Sequence, residues 1–251
     1  MATISVVLAT YNEEKNLPAC LNSVKDLADE IVIVDGTSKD STIEIAKRYG
    51  AKTRVVKNLQ NFHINKQKAI DMATKDWVLQ LDADESISGA LSDEIKLSLS
   101  DPKNNGYWIP RKNWFLGRFL MKGGQYPDYT LRLYRRGKGR LPQKDVHEQA
   151  IVEGNVGYLK NPLIHMADSQ FSRYFKRWQR YTALAATQMR EANVKWYNPV
   201  TAIKYLLILP FWWFLLTYVR HKGFMDSWQG FVFSLFSALR FPMSYLKLIV
   251  L

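Results

Sequence analysis

The residues best suited to chemistry are two carboxylates, Asp82 and Asp84, which follow the apolar run 77–81 and are separated by one alanine. Hard divalent cations prefer oxygen ligands, and Mg²⁺ or Mn²⁺ is typically held by one or two carboxylates together with substrate phosphates. The pair therefore favours a metal site that bridges a diphosphate. An isolated Asp-x-Asp is also common by chance, and the same residues can form a solvated turn that caps the next helix.

Two other polar clusters also follow apolar runs. One contains Thr10, Tyr11 and Glu13, and the other begins at Asp35. In an open α/β sheet, ligands bind at the carboxyl ends of the strands, near the point where the strand order reverses. We therefore expect both clusters to share one crevice with the carboxylate pair, where Asp35 accepts hydrogen bonds from a nucleobase or ribose and Tyr11 packs against a base. The alternatives are a turn or cap role for Asp35 and an ordinary surface or core position for Tyr11.

Four further residues are candidates that also have common structural roles. Lys66 could meet a phosphate, or it could lie on the solvated face of a helix. His165 could reach the metal or the diphosphate, although a single histidine is more often structural. Asp128 and Arg132 could line the acceptor side of the site, or they could form a structural ion pair.

Regular alternation over the first hundred residues indicates the elements that must position these side chains. Apolar runs predict strands at 4–9, 31–34, 52–56 and 77–81, and helical spacing predicts helices near 17–24, 41–49, 65–73 and 91–99. Asp40 or Ser41 is expected to cap the second helix. Apolar strands that alternate with helices are typical of a parallel sheet covered on both faces, with right-handed crossovers.

The pattern changes between residues 104 and 165. Short strand-like segments broken by Gly and Pro lie at 106–109, 129–134, 148–152 and 156–164. They predict a mixed-sheet extension of the same domain rather than a separate one.

Charge is concentrated in the last third of the chain. The 251 residues carry a net charge of +12, and residues 171–251 hold eleven Lys or Arg, two Asp or Glu and five of the eight Trp. A basic and aromatic composition suits nucleic acid or an anionic membrane surface. Because the basic residues lie beside long apolar runs rather than in a polar segment, the sequence predicts an anionic membrane surface and no nucleic acid as partner.

Three segments of this tail are expected to be helical. The first, 171–184, has the spacing of a basic amphipathic helix. The second, 205–219, has no charge but would be only about 22 Å long, short of the roughly 30 Å hydrocarbon core, and Pro210 is expected to kink it. The third, 231–239, is expected to end at Arg240 and Pro242. We favour helices that lie in or dip into one leaflet; full spans, an ordinary core hairpin or an oligomer contact are the alternatives.

Three motifs together resemble the GT-A glycosyltransferases of family 2, and among them the lipopolysaccharide-core β-glucosyltransferases. The motifs are Leu8–Glu14, Ile33–Asp40 and Leu79–Glu85, and the tail residues Gly223–Asp226, Gly230, Tyr245 and Lys247 also resemble that subgroup. The resemblance covers roughly residues 3–165 and implies an α/β, Rossmann-like mixed sheet flanked by helices. Together with the composition shift at Asp168, it predicts a catalytic domain at residues 1–167 and a helical membrane-associating region at 168–251. It also implies a nucleotide-diphosphate sugar donor, usually UDP-linked, and inversion at the anomeric carbon.

The same resemblance assigns roles to the motif residues. Asp35 would meet the nucleoside, Asp82 the ribose or metal, and Asp84 the metal, which is expected to be Mg²⁺ or Mn²⁺. Many members have two acidic residues in the second motif, whereas this chain has Asp35 followed by Gly36.

Inversion by direct displacement needs one general base for the acceptor hydroxyl. The family places an acidic residue after the central sheet, and Glu148 is the matching candidate, with Asp145 second. His147 could touch the diphosphate or orient the base.

These inferences predict an inverting, metal-dependent glycosyltransferase that moves a hexose to a hydroxyl of a membrane-associated glycan or glycolipid such as lipopolysaccharide core. The single cysteine, Cys20, excludes an intrachain disulfide, and the start of the chain lacks a signal-peptide pattern. We therefore expect a peripheral or monotopic protein on the cytoplasmic face of the inner (plasma) membrane. The alternatives are transfer to a polyprenyl phosphate, a nucleotidyltransferase and a non-catalytic nucleotide-sugar-binding scaffold.

Overall fold

The first apolar run forms strand β1 (Ile4–Thr10), which is buried at six of its seven positions and lies between β2 and β4. The computed structural model describes residues 2–59, 61–142 and 149–250. Its remaining strands are β2 (Glu30–Asp35), β3 (Lys52–Val55), β4 (Trp77–Gln80), β5 (Glu85–Ile87), β6 (Gly106–Phe115), β7 (Arg118–Phe119), β8 (Asp128–Arg135), β9 (Gly139–Arg140), β10 (Ile151–Val152), β11 (Val156–Tyr158) and β12 (Leu163–Asp168).

The described strands form a ten-stranded mixed sheet and a small pair, β9 and β10. The large sheet runs β3-β2-β1-β4-β8-β6-β12-β5, and β7 and β11 also pair with β6. Strands β1 to β4 are mutually parallel, whereas β8 is antiparallel to both β4 and β6. The predicted parallel half and its mixed extension are therefore confirmed, and the strand order reverses at β1, where β4 lies on the side opposite β2.

Four helices cover this sheet: α1 (Leu17–Val24), α2 (Thr42–Arg48), α3 (Phe62–Met72) and α4 (Gly89–Ser100). Their apolar stripes pack into two clusters on the sheet; in α4 the stripe is Leu91, Ile95 and Leu99. Of the two expected caps of α2, Asp40 accepts from the Thr42 N–H at 3.1 Å, whereas Ser41 makes no side-chain cap bond. Polar caps of this kind satisfy N–H groups that have no partner inside the helix.

Three strand predictions are wrong at their ends. The segment predicted at 106–109 continues to Phe115. The segment predicted at 156–164 is two strands, β11 and β12, because the chain leaves the sheet around Pro162. Of the segment predicted at 148–152, the structure forms a strand only at Ile151–Val152, and residue 148 lies outside the described residues.

The chain divides into two compact units. One comprises residues 1–111 and 128–165, and the other comprises 112–127 and 166–251. The domain boundary expected at residue 167 remains a prediction.

Helix α5 (Phe171–Glu191) opens the helical part of the second unit and is longer than predicted. Its buried face consists of Tyr174, Trp178, Thr182 and Ala186, which recur every four residues. This face packs on α8 (Ser227–Val250), where the Trp178 indole N–H donates to the Phe236 carbonyl at 2.8 Å. Exposed Arg173, Lys176 and Arg180 lie on the opposite face, so the predicted basic amphipathic helix is confirmed.

Two apolar helices follow α5. The first apolar helix, Pro199–Arg220, contains α6 (Pro199–Ile203), a π-helical turn, α7 (Leu209–Phe214) and a second π-helical turn; the second apolar helix is α8. The first π-helical turn, Lys204–Ile208, ends just before Pro210, whose nitrogen has no hydrogen to donate. The predicted end at Arg240 and Pro242 is wrong: α8 continues to Val250, held on α5 by Lys247, whose ammonium donates to the Gln179 carbonyl at 2.8 Å.

Both apolar helices are long and apolar enough to cross a bilayer by length and composition. In the most apolar 18-residue stretch of each helix, 6% of the first helix and 28% of the second is buried. The second unit therefore presents an apolar surface on the first helix, including Leu207, Phe211 and Trp212.

The turn between the two helices is fixed by small residues and one carboxylate. A Cβ at Gly230 would lie 1.9 Å from the Gly223 carbonyl oxygen, so only glycine permits the turn to pack this closely. Buried Asp226 accepts from the Lys122 N–H at 2.7 Å and lies 3.9 Å from the Arg118 guanidinium. The tail motif that resembles the lipopolysaccharide-core subgroup thus joins the helical turn to the segment 112–127.

Candidate active site

Asp35 ends β2 at the carboxyl edge of the sheet and is fully buried. It accepts hydrogen bonds from the Thr10 hydroxyl at 2.9 Å and from the Ser38 N–H at 2.7 Å and hydroxyl at 2.6 Å. These bonds lock the ends of β1 and β2 together. A base or ribose would reach this carboxylate only if Ser38 moved, so the nucleoside role of Asp35 remains a prediction.

Tyr11 and Glu13 follow β1 at the same edge. Tyr11 is 42% exposed, which leaves its ring open to a ligand. Glu13 accepts from the Asn16 amide at 2.7 Å, while its own N–H donates to the Thr42 hydroxyl at 2.8 Å. Glu13 therefore organises the start of α1, and Tyr11 is the exposed member of this cluster.

Asp82 lies just beyond β4 between two cations. Lys66, from α3, pairs with one carboxylate oxygen, and Arg132 donates to the other at 2.8 Å. Burial would raise the pKa of Asp82, but Lys66 and Arg132 outweigh it and hold that pKa well below its usual range. Burial lowers the pKa of Lys66, and the Asp82 charge opposes that shift. Asp82 is therefore an anion whose two oxygens both contact cations.

Arg132 reaches Asp82 because β8 contains an irregularity at this point. Tyr107 pairs with Leu133 and Trp108 with Leu131, so Arg132 is the extra residue between two consecutive β6 partners. A bulge of this kind re-aims a side chain, and such bulges are common beside active sites. The Arg132 side chain is only 9% exposed, and its Nε has no hydrogen-bond partner among the described residues.

Glu85 is a site residue for which sequence reasoning assigned no role. Its fully buried carboxylate accepts from Arg132 and from Arg111, both at 3.2 Å, and from the Asp82 N–H at 2.9 Å. Arg111 also donates to Asp128 at 2.7 Å. Its position directly after the Asp82–Asp84 motif could have marked Glu85 as a site residue, but nothing in the sequence spacing shows that its carboxylate is buried.

Asp84 and His165 meet on the other side of the motif. β12 is antiparallel to β5, and His165 is the register partner of Glu85. This pairing brings His165 Nε2 to 3.5 Å from the Asp84 carboxylate, and both side chains are about 15% exposed. The structure therefore joins residues 81 positions apart that the sequence offered only as separate candidates.

The donor set of Asp84 and His165 fits a divalent cation. The described residues contain no group of three or more His, Cys, Asp or Glu that could hold a metal ion. Mg²⁺ nevertheless usually takes one or two protein carboxylates and completes its shell with substrate phosphates and water, and imidazole also suits transition metals. Asp82 fits less well, because Lys66 and Arg132 hold its oxygens.

The predicted base, Glu148, and its neighbours Asp145 and His147 lie outside the described residues. The next residue, Gln149, accepts from the Leu131 N–H at 3.2 Å. Leu131 precedes the bulge residue Arg132, so the chain that follows the predicted base is attached to the strand that carries Arg132.

The sheet has a parallel half whose strand order reverses at β1 and an antiparallel extension beyond β4, and two carboxylates follow β4. This arrangement is that of the GT-A class of glycosyltransferases. The fold is similar to that of TarS from S. aureus, solved as residues 1–349 in complex with UDP-GlcNAc, with a TM-score of 0.52 and 18% identity over 90% of this chain and 76% of that one.

Residues 5–165 match glycosyl transferase family 2, and the chain belongs to that family. It is 29% identical over 252 residues to the lipopolysaccharide core biosynthesis glycosyltransferase LpsC of Rhizobium meliloti, covering 94% of this chain and 91% of the relative. It is 28% identical over 250 residues to an uncharacterized glycosyltransferase of Rickettsia typhi, covering 95% of this chain and 84% of the relative.

Proposed function

We propose that this protein transfers a hexose, with inversion, from a UDP-linked sugar to a hydroxyl of a membrane-associated glycan or glycolipid such as lipopolysaccharide core. The observation that carries the proposal is the contact of Asp84 with His165 beside the ion-paired Asp82, all at the carboxyl edge of β4. Similarity to LpsC supports the acceptor class, and a fold shared with TarS is compatible with a UDP-sugar donor.

Asp84 and His165 are the residues that would hold Mg²⁺ or Mn²⁺. Such an ion, when bound, neutralises negative charge that develops on the departing diphosphate. Lys66 supplies a second positive charge from α3, and it is held toward this edge by Asp82. Tyr11 offers an exposed ring to the base, and the Thr10–Asp35–Ser38 bonds fix the loops on either side of it.

Transfer requires the acceptor oxygen to attack the anomeric carbon while the bond from that carbon to the diphosphate oxygen breaks. The bonding electrons leave with the diphosphate, and the hydroxyl proton passes to a base. We assign the base to Glu148, on the motif resemblance and on the attachment of Gln149 to β8. A polyprenyl phosphate acceptor is already an anion and would need no base.

The helical region supplies the means to reach a membrane-bound acceptor. The exposed apolar side of the first apolar helix and the basic outward face of α5 suit an anionic bilayer surface. We assign this surface to the cytoplasmic leaflet of the inner membrane.

The test is the melting temperature of the purified chain against UDP, GDP, CDP and ADP, with and without Mn²⁺. A ligand that binds only the folded state stabilises it by about 2.7 kcal/mol at one hundred times its dissociation constant. We expect a shift with UDP that needs Mn²⁺, vanishes in Asp84→Ala and persists in the control Asp93→Ala, an exposed carboxylate on α4. Absence of a shift with every nucleotide would refute the proposal.

The same preparation decides between the two acceptor chemistries. Transfer from UDP-glucose to rough lipopolysaccharide truncated in the core should be lost in Glu148→Gln while the UDP shift is retained. Full transfer by Glu148→Gln to a polyprenyl phosphate would favour that acceptor instead.

A further inference from the structure

An exposed aromatic cluster on the sheet has no role in the site described above. It consists of Trp108 on β6, Tyr129 on β8 and Tyr158 on β11. The rings of Trp108 and Tyr158 stack with centroids 6.3 Å apart and planes 15° apart, and Tyr129 meets Tyr158 edge-on at 5.0 Å. We propose that this cluster is the platform on which the sugar rings of the acceptor stack, an assignment that rests on the proposed glycosyl transfer.

The exposure of these rings is unusual for core packing. Tyr158 is 63% exposed and Tyr129 is 38% exposed. Trp108 is partly buried and packs against the core cluster that contains Leu131. Large aromatic side chains usually bury most of their surface, and exposed apolar patches commonly mark binding sites. The outer face of Tyr158 is therefore open to a flat, partly apolar ligand.

The backbone is arranged to hold Tyr158 in this place. β11 runs parallel to β6, with Tyr158 paired to Trp108. A Cβ at Gly157 would lie 3.1 Å from the Tyr107 ring and 2.6 Å from the Asn104 amide nitrogen, so glycine lets β11 lie close to β6. The stack of Tyr158 on Trp108 follows directly from that register.

The sheet order places the cluster on the side of β4 opposite the candidate nucleoside residues. The candidate nucleoside residues Thr10 and Asp35 end β1 and β2, on one side of β4, whereas β8, β6 and β11 lie on the other side. The Asp82–Asp84 motif follows β4, between these two groups of strands. A ligand that stacks on Tyr129 or Tyr158 thus approaches from the side opposite the nucleotide.

Two features connect the platform to the candidate active site. Tyr129 precedes Arg132 by three residues on β8, about 10 Å along a strand. Leu131, between them, donates to Gln149, which directly follows the predicted base. A glycan stacked on the platform would therefore extend toward the edge that carries Asp82 and Arg132.

The chemistry of the cluster suits a carbohydrate. A pyranose ring has a face of C–H groups that stacks on an aromatic ring and a rim of hydroxyls that hydrogen-bond at its edge. Tyrosine offers the matching combination of an apolar face and a polar hydroxyl. Asp128, which directly precedes Tyr129 on β8, is paired with Arg111 of β6, which favours neutral sugar rings over phosphate here.

The experiment compares Tyr158→Ala and Tyr129→Ala with the control Tyr49→Ala, an exposed tyrosine at the end of α2. The acceptors are rough lipopolysaccharide truncated in the core and the core oligosaccharide released from it by mild acid. Ring-stacking energies predict that each platform variant raises the acceptor KM by about three- to tenfold. The KM for UDP-glucose and the UDP-induced melting shift should stay unchanged, and Tyr158→Phe should keep most of the acceptor affinity.

The outcomes separate the platform from the proposed function. If the wild type transfers and both alanine variants match Tyr49→Ala, the platform is refuted and the function stands. If the wild type transfers nothing, the proposed function is refuted. Saturation-transfer NMR then tests the platform: oligosaccharide binding to the wild type that is lost in Tyr158→Ala would support it, and equal or absent binding would refute it. A change of oligomeric state in Tyr158→Ala, seen by sedimentation velocity without any change in acceptor KM, would identify the patch as a self-contact and overturn the proposal.

Discussion

Arg132 contacts Asp82 across fifty residues of sequence, with Nη2 2.8 Å from Oδ2, and it does so from a bulge in β8. The same guanidinium nitrogen contacts Glu85 at 3.2 Å. One arginine thereby holds both the first carboxylate of the Asp82–Asp84 motif and the buried carboxylate beneath it.

Arg132→Met should destabilise the protein and weaken donor binding together. Removing one partner of a buried ion pair leaves an uncompensated charge, which typically costs about 3–5 kcal/mol. Denaturation in detergent and the UDP-induced melting shift measure the two effects. Arg135→Met, an exposed arginine on the same strand, is the control and should lose less than about 1 kcal/mol. Equal losses in the two variants would contradict the structural role given to Arg132.

His165→Gln should raise the Mn²⁺ concentration needed for half-maximal UDP stabilisation by about tenfold or more, because it removes one of the two proposed protein ligands. The measurement is a Mn²⁺ titration of the UDP melting shift at fixed UDP. His165 Nε2 lies 3.5 Å from the Asp84 carboxylate, so the two side chains are close enough to share one ion. An unchanged titration would exclude His165 from the metal site.

The carboxylate of Glu30 makes stability depend on pH below neutrality. Burial alone would raise its pKa, but hydrogen bonds from Lys52, Ser5 and Thr74 outweigh burial and lower the pKa to about 2 from the ordinary 4.5. Because the folded-state pKa is depressed, its contribution is fully present above pH 4.5 and is lost as pH falls toward 2.

Glu30→Gln should therefore flatten the stability curve between those two pH values. At pH 7 the variant should lose about 2 kcal/mol of unfolding free energy, after allowance for screening of the exposed Lys52. Urea denaturation at pH 7 and at pH 3 measures it. Identical pH slopes for the variant and the wild type would show that Glu30 titrates normally.

Asp226→Leu should release the segment 112–127 from the helical turn. The carboxylate accepts from the Lys122 N–H at 2.7 Å and is almost fully buried, so its loss leaves that donor without its partner. We expect faster trypsin cleavage after Arg118 and Lys122 in detergent, measured by mass spectrometry. Cleavage after Lys103, which lies in the other unit, is the internal control.

Lys176→Gln combined with Arg180→Gln should weaken binding to anionic vesicles. Each basic residue near such a surface contributes about 1 kcal/mol, so the pair should lower partitioning about 30-fold. Flotation with vesicles containing phosphatidylglycerol measures this, and neutral vesicles should show no difference. The control is Lys47→Gln with Arg48→Gln, at the end of α2. Equal partitioning of the two double variants would show that the basic face of α5 does not contribute to membrane binding.

The parallel half of the fold and the position of Asp82 and Asp84 could be predicted, because burial on both sides forces near-continuous apolar strands and ligand residues follow them. The contact of Arg132 with Asp82 could not, because it depends on a bulge that shifts β8 by one residue and leaves no periodic signal. Pro242 was expected to end a helix on local grounds, and packing of α8 on α5 overrides that preference. The contact of His165 with Asp84 depends on the long-range register of β12 with β5.

The segment 112–127 has a consequence for exchanging parts between relatives. Its Phe115 and Leu120 are buried with Tyr174 of α5 and packed by Phe233 and Phe236 of α8. A chimera that takes a foreign tail from residue 168 onward would set these side chains against helices to which they are not matched. A tail from another family member should therefore be transplanted together with its own 112–127 counterpart, as one inherited module encoded in two separate stretches of the gene.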